Sequence, residues 1–372
     1  MGAEAWFRSL FEPAGIAVNG DRPFDLRVHN PRLYRQVRRL GTLGLGDAYV
    51  EGWWDCERVD ELFCRLLSSD IQNRAGVFLP QMLGVARARL SNMQSIRRAF
   101  HVGKHHYDLG NELFEAMLGP TMAYSCGYWK DAATLDEAEE AKYDLACRKV
   151  RLKPGMTVLE IGCGWGGFAR YAAERYGVRV VGLTVSAEQA RYAEDLCRGL
   201  PVEIRLEDYR SFKGGVDAIV SIGMFEHVGV KNYATYFEVA RRALKDDGLF
   251  LLHTIGSLDS KVSIDPWIGA HIFPNGVLPS LQQIGRATEE RFVVEDVHNF
   301  GAFYERTLKA WHGNFHAALD AGRLPAKYDD GFRRMWDYYL LSCAGAFRAR
   351  HLQLYQIALS PQGVRGGYCS VR

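Results

Sequence analysis

The chain has no run of 18 or more consecutive apolar residues, so a hydrophobic helix crossing a bilayer is excluded. Its start, Met1-Gly2-Ala3-Glu4-Ala5, lacks a basic stretch followed by an apolar core, and a cytoplasmic location is the expectation. None of the eight cysteines stands at C-x-x-C spacing to another, which leaves no thiolate zinc site, and no metal-ligating set is expected. Irregular cysteine positions, with Cys163 inside a glycine turn, point to reduced thiols rather than bridges. Internal repeats and low-complexity tracts are also missing. What remains is an ordinary globular composition: 372 residues, 48% hydrophobic and 24% charged, enough for one large domain and a smaller one.

Acid is missing locally. Between Ile71 and Tyr107 there is no Asp or Glu, while Arg74, Arg87, Arg89, Arg97, Arg98 and Lys104 are basic. Val77, Phe78, Leu79, Met82, Leu83, Leu90, Met93, Ile96 and Phe100 lie among them, so a helix here suits either a membrane surface with anionic headgroups or a core-packed linker with a solvated face. Aromatic residues are not interleaved with the arginines as a stacking platform requires, and no nucleic-acid partner is expected.

The strongest positive signal is Val158 to Gly167, Val-Leu-Glu-Ile-Gly-Cys-Gly-Trp-Gly-Gly, an apolar strand breaking into glycines ahead of a helix from Phe168. Gly162 and Gly164 have no Cβ where a ligand would approach, and a helix N-terminus offers free N–H groups. The G-x-G-x-x-G spacing alone suits NAD as well as other nucleotides. A dehydrogenase wants an acid about 20 residues on, at the end of the second strand. That strand, Arg179 to Leu183, runs instead into Thr184-Val185-Ser186. Glu160, inside the first strand, has the placement of the acid in S-adenosylmethionine (SAM) sites, and SAM is the expected ligand.

The first 70 or so residues read as mainly helical, with Leu33, Val37 and Leu40 at helical spacing and the pattern repeated over Val59 to Leu67. Gly41 to Gly46 reads as packing turns, and Trp53 and Trp54 as structural residues rather than lipid contacts. From about 135, strands at 157–161, 179–183, 202–205 and 216–222 alternate with helices at 168–175 and 187–196, followed by strands at 249–254, 291–296 and 352–359. Such alternation implies a mostly parallel sheet with helices on both faces. The organisation expected is a mainly helical N-terminal domain over 1–95 and an α/β domain over 96–372. Ligands of such sheets bind at the carboxyl ends of the strands, where the glycine loop, Thr184, Asp208 and Glu226 fall. Glu226 and His253 each follow an apolar strand; alone, either is as readily a satisfied structural group, and their convergence on one edge is what suggests chemistry.

Taken together, Leu43 to Gly46, Gly52 to Asp55, Val102 to Lys104, His106 to Asn111, Tyr124 to Trp129, Val158 to Gly167, Gly182 to Gln189, Asp208 to Arg210, Ser221 to Gly229, Lys231 to Tyr233, Leu251 to Gly256, Phe273 to Gly276, His298 to Gly301 and Ala344 to Arg348 resemble the bacterial cyclopropane-fatty-acyl-phospholipid synthases, a family related to the mycolic acid cyclopropane synthases. The resemblance implies a class I SAM-methyltransferase (Rossmann-like) α/β fold with a smaller helical N-terminal domain. It further implies transfer of the SAM methyl carbon to the cis double bond of an unsaturated phospholipid acyl chain, with bicarbonate accepting the proton that ring closure releases. By motif, the bicarbonate pocket comprises Cys126, Glu226, His253, Ile255 and Tyr304. SAM-binding positions are Tyr124, Ser125, Gly162, Gly164, Thr184, Gln189, Asp208, Tyr209 and Ile222. A homodimer, peripheral contact with the inner face of the cell membrane and no nucleic acid complete what the resemblance implies. Gly127 stands where the family commonly has alanine, and Ala270 and His271 where it has a basic residue and a tyrosine. The other readings are a SAM methyltransferase that branches fatty acids or methylates a small amine, and a noncatalytic SAM- or lipid-binding protein.

Overall fold

A computed structural model describes residues 1–69, 71, 76, 78–95 and 109–372. Of the basic segment, Arg74, Val77, Ile96, Arg97, Arg98, Phe100 and Lys104 lie outside the described residues, as do Val102, Gly103 and His106 to Asp108. The contacts divide the chain into two compact units, each built from three stretches: Met1–Ser91, Val262–Asn275 and Tyr304–Leu352 form one, and Asn92–Lys261, Gly276–Phe303 and Gln353–Arg372 the other. A single cut at 95/96 therefore lies near the first crossing and omits two later returns of the chain to the helical unit.

The first unit is helical apart from a short antiparallel pair, β1 (Arg27–Val28) and β2 (Trp54–Asp55). Helix Val59–Ser68 carries Asp60 and Glu61 in its first turn and Arg65 in its last, the charge order that a helix dipole favours. It packs on helix Asp330–Arg348 at Gly345, where an added Cβ would meet Phe63 Cβ at 2.8 Å as well as the backbone of Asp60. Arg348 joins Asp60 (3.2 Å), Glu61 (2.5 Å) and Glu305 (3.0 Å) at the same contact. Gly41 to Gly46 is not a turn: helix Thr42–Val50 runs through it. Glycine inside a helix is disfavoured by about 1 kcal/mol, but a Cβ on Gly44 would lie 2.7 Å from the Gln36 carbonyl oxygen and one on Gly46 would collide with the Trp267 indole. Close packing outweighs local preference there. Trp54 is wholly buried and donates its indole N–H to the Leu45 carbonyl at 2.9 Å, a structural role as the sequence suggests.

In the second unit seven strands form one sheet: β3 (Thr157–Ile161), β4 (Arg179–Thr184), β5 (Val202–Leu206), β6 (Val216–Ile222), β7 (Leu244–Ser257), β8 (Val293–Asn299) and β9 (Leu352–Ser360). Their order is β5-β4-β3-β6-β7-β9-β8. The pairs β3/β4, β3/β6, β4/β5 and β6/β7 are parallel, and β8/β9 is antiparallel. The order reverses between β3 and β6, the switch point where α/β sheets bind ligands. Alternation along the strands separates two cores. Leu159, Ile161, Ile219, Phe250 and Leu252 face Tyr236 and Phe237, while Val158, Ala218, Val220 and Leu251 face Ala146 and Phe168. By the same period of two, Glu160 and His253 lie on the second face, where helix Leu135–Lys149 packs.

Candidate active site

At the end of β3 the chain turns with φ of 85° at Gly162, 54° at Gly164 and 87° at Gly166, all in the region that favours glycine, before helix Gly167–Tyr176 begins. The glycines do different work. A Cβ on Gly162 would lie 2.7 Å from Met224, and one on Gly167 would lie 2.7 Å from Tyr143 Oη and collide with the Thr121 backbone. On Gly164 nothing is nearer than Gln189 Nε2 at 3.9 Å, so this is the glycine with an open face. Gln189 itself is buried, accepts from Thr184 Oγ1 through Oε1 at 3.1 Å, and is placed by Ser186, which caps its helix. Gly164, Thr184 and Gln189 thus converge, as expected from their sequence positions.

Asp208 and Tyr209 follow β5. The Asp208 carboxylate is held by the Arg210 guanidinium through both oxygens at 2.7 Å. Tyr209 packs its ring edge-on against Tyr236, with the hydroxyl buried and unpartnered among the described residues. Ile222 closes β6 opposite His253 of β7. Tyr124 lies edge-on to Phe114, with ring centroids 5.3 Å apart. Ser125 Oγ accepts from the Lys142 ammonium at 2.8 Å, and Cys126, fully buried, directs its thiol to the Gly127 carbonyl. Gly127 has no room for the family's alanine, since a Cβ there would stand 2.8 Å from that of Ala138.

Beyond β6, a short turn of helix, Phe225–His227, buries Glu226. One carboxyl oxygen accepts the Ile255 N–H at 2.7 Å, and the other, Oε2, has no partner among the described residues. Burial pushes the Glu226 carboxyl up to about 7. Ile255 therefore contributes through its backbone, to Glu226 itself. His253 Nδ1 lies 3.2 Å from Gln356 Nε2, while His253 Nε2 is buried without a partner among the described residues. Burial, helped by the positive charges of Lys142 and Lys149, holds the ring well below the usual histidine range, so it is neutral. With the Gln356 amide donating to Nδ1, the ring proton sits on Nε2. Tyr304 heads helix Tyr304–Asp320 in the helical unit, where its ring lies 4.4 Å from that of Phe347. Glu226, His253, Ile255 and Cys126 belong to the sheet unit and Tyr304 to the other.

Sequence reasoning passed over Lys142. The side chain is wholly buried, forms no ion pair among the described residues, and is lowered by burial to about 8. On the same face, burial pushes Glu160 well above the carboxylate range, with Lys142 opposing, and its Oε2 is unpartnered among the described residues. The signal was present: Ala138, Lys142, Leu145 and Lys149 recur at helical spacing, which sets two lysines in an apolar stripe. A buried cation beside unpartnered carboxyl and imidazole atoms is poorly solvated by the protein alone. Such a site suits a polar or ionic ligand.

Known proteins agree with this architecture. Residues 94–357 match the sequence model described as mycolic acid cyclopropane synthetase. The chain is 52% identical over 365 residues to the cyclopropane-fatty-acyl-phospholipid synthase of Escherichia coli K12, covering 97% of this chain and 95% of that protein. It is 36% identical over 374 residues to a probable fatty acid methyltransferase of Pseudomonas putida, covering 94% and 92%. Among solved structures, a mycolic acid cyclopropane synthase complexed with SAH and CTAB superposes with a TM-score of 0.64 at 35% identity, covering 70% of this chain and 97% of that one. The sheet is therefore that of the class I SAM methyltransferases, and with a family match over most of its length and a full-length relative at 52% identity, the chain belongs to the mycolic acid cyclopropane synthetase family.

Proposed function

We propose that this protein transfers the methyl carbon of SAM to the cis double bond of an unsaturated phospholipid acyl chain and closes it to a cyclopropane ring, releasing S-adenosylhomocysteine and a proton. The alkene π pair forms the new bond to the methyl carbon as the C–S pair returns to sulfur. Loss of a proton from the added methyl then closes the ring. An alkene is a weak nucleophile, so the methyl must be held in line, and the cationic intermediate must be kept from water. The open face of Gly164 with Gln189 and Thr184 suits the ribose and methionine portions of SAM, and Ser125, Tyr124, Gly162, Asp208, Tyr209 and Ile222 complete the assignment carried from the family.

The observation that supports this reading is the pair of buried atoms Glu226 Oε2 and His253 Nε2, without partners among the described residues, at the ligand edge of the sheet. Both carry protons when Glu226 is neutral, and two such donors would suit a small oxyanion. Bicarbonate held there would supply the base for ring closure. Glu226 and His253 orient it, the Ile255 N–H fixes Glu226, and Cys126 lines the pocket in this reading. Purified protein incubated with SAM, bicarbonate and vesicles of cis-monounsaturated phospholipid tests the function: released acyl chains should gain one CH₂ and show ring-proton NMR signals. A branched methyl product would move the assignment to fatty-acid methylation, and SAM binding without any product would overturn it.

Loop glycines give a second test. Gly164→Ala places a Cβ in open space on a left-handed backbone, at a stability cost of about 1 kcal/mol, but in the path of the ligand. SAM affinity should fall roughly tenfold, a loss of about 1.4 kcal/mol, by calorimetric titration. Gly167→Ala should lower the melting temperature far more, because its Cβ meets backbone.

No described helix is long and apolar enough to cross a membrane, and the proposal places contact with acyl chains at the bilayer surface. Helix Leu79–Leu90 supports contact there: it has no acidic residue in its first turn, Arg87 and Arg89 in its last, and Met82, Leu83 and Leu90 exposed. Each arginine near an anionic surface contributes about 1 kcal/mol. Replacing Arg87 and Arg89 by Gln should weaken co-sedimentation with anionic vesicles roughly 30-fold, with much less effect at high salt. A homodimer working in the cytoplasm at the inner membrane face is part of the same proposal.

A further inference from the structure

In the helical unit, helix Tyr304–Asp320 and helix Asp330–Arg348 bring together three side chains that the reaction does not use. His312 and His316 stand four residues apart, one above the other on one helix face, with ring centroids 4.4 Å apart. Asp337 reaches them from the second helix: its Oδ1 is 3.0 Å from His312 Nε2 and 2.6 Å from His316 Nε2. One donor atom from each residue lies within 4.8 Å of the other two. Both imidazoles thus aim the same ring nitrogen at one carboxylate oxygen. We propose that His312, His316 and Asp337 form a binding site for a single divalent transition-metal ion of the zinc class.

The donor set is two imidazoles and one carboxylate, which suits Zn²⁺, Co²⁺ or Ni²⁺ rather than Ca²⁺ or Mg²⁺. Tetrahedral zinc at about 2.0–2.1 Å from each donor sets neighbouring donors roughly 3.3 Å apart, so the imidazole–carboxylate separations of 3.0 and 2.6 Å would open by about 0.3 and about 0.7 Å. Asp337 is almost wholly buried while both histidine side chains remain about a quarter to a third exposed. That leaves an entry path and a solvent-side position for water as fourth ligand. Helical placement fixes two ligands before metal arrives, which lowers the ordering cost. Cysteine spacing, the usual zinc signal, gives no hint of this site; H-x-x-x-H on a helix with a partner carboxylate 21 residues beyond the second histidine does, once the helix hairpin is known. Bound metal would tie the two helices together about two turns from Tyr304. The site is independent of the cyclopropanation reading.

Full-length protein, stripped with chelator and with its thiols alkylated, is titrated with Co²⁺ alone and followed by visible absorption and by melting temperature. One equivalent should bind, with the intense d–d bands of a four-coordinate site and a rise in melting temperature. His316→Gln and Asp337→Asn should each weaken binding at least tenfold while leaving the metal-free melting temperature within a few degrees. Zinc-edge X-ray absorption of the unmutated protein covers the case in which a variant misfolds: a nitrogen and oxygen shell at about 2.0–2.1 Å with imidazole scattering is the expected result. No uptake at micromolar metal, equal uptake by well-folded variants, or a sulfur shell near about 2.3 Å would overturn the site.

Discussion

Glu226→Gln is expected to lose roughly 10²-fold or more in turnover and yet to unfold at a higher temperature than the unmutated protein at about pH 8. The two effects have one origin. Burial raises the Glu226 carboxyl from 4.5 to about 7. The folded protein therefore binds more protons than the unfolded chain between those values, and stability falls as pH rises through that window. At 1.36 kcal/mol per unit, ionised Glu226 destabilises the fold by about 3 kcal/mol above pH 7, a burden absent below the ordinary glutamate range. Glutamine has nearly the same shape and can still accept the Ile255 N–H, but it never ionises. Thermal melts should then separate variant and parent by several degrees at about pH 8 and converge at about pH 4. Activity moves the other way, because an amide cannot change charge as a proton leaves the added methyl. Retention of more than half the turnover would remove Glu226 from the proton path, and coincident melts at both pH values would show that it does not titrate where its burial implies.

Much of the sheet unit is legible because its strands are short apolar runs bounded by glycine or charge. The strand over 216–222 and that over 157–161 are read without error, and the helix beginning at Phe168 starts only one residue earlier. The seventh element is read too short. β7 begins at Leu244 and runs through Lys245, Asp246, Asp247 and Gly248, polar residues that suggest a turn; the register shift opposite Val216 and Ala218 accommodates them. In the helical unit, Gly44 and Gly46 mislead because their helical state depends on Gln36 and Trp267, residues that local propensity cannot see. Returns of the chain at Val262 and Tyr304 are hidden for a related reason: nothing in the composition of a helix says which unit it will join.

Site residues divide in the same way. Glu226 and His253 are legible because strand ends predict the ligand edge. That one atom of each lacks a partner depends on Ile255 and Gln356, one far along the chain and the other from the last strand. Asp208 is legible as a ligand-edge residue, but not that Arg210, two residues on, takes both its oxygens. The charges along helix Leu135–Lys149 do not announce that Glu139, Lys142 and Lys149 are fully buried. Charged residues are so rarely buried that the default assignment of each is to the surface.

Lys142→Met supplies the other large effect: kcat/KM should fall roughly 10²-fold while the protein becomes more stable at neutral pH. The ammonium is fully buried, bonded to Ser125 Oγ at 2.8 Å and without an ion-pair partner among the described residues. Its folded-state value is lowered by burial from 10.5 to about 8. Between those values the unfolded chain holds more protons, so stability rises with pH across that window, and at pH 7 the buried charge opposes folding by about 3 kcal/mol. Methionine fills a similar volume without a charge, and the variant should melt several degrees higher at pH 7, with the difference vanishing near pH 11. A fold that tolerates such a charge must gain from it elsewhere, and Lys142 holds Ser125 next to Cys126 and extends its field to Glu160 and His253. Its expected part is positional: it holds Ser125 and adds to the burial that disfavours a charged His253. Activity of the unmutated protein should therefore decline as pH rises through about 8 and Lys142 discharges, a limb that Lys142→Met lacks. Ser125→Ala should reproduce part of the rate loss but keep the limb. If Lys142→Met retained both the rate and the alkaline limb, the lysine would be only a buried structural charge, and the decline would belong to another group.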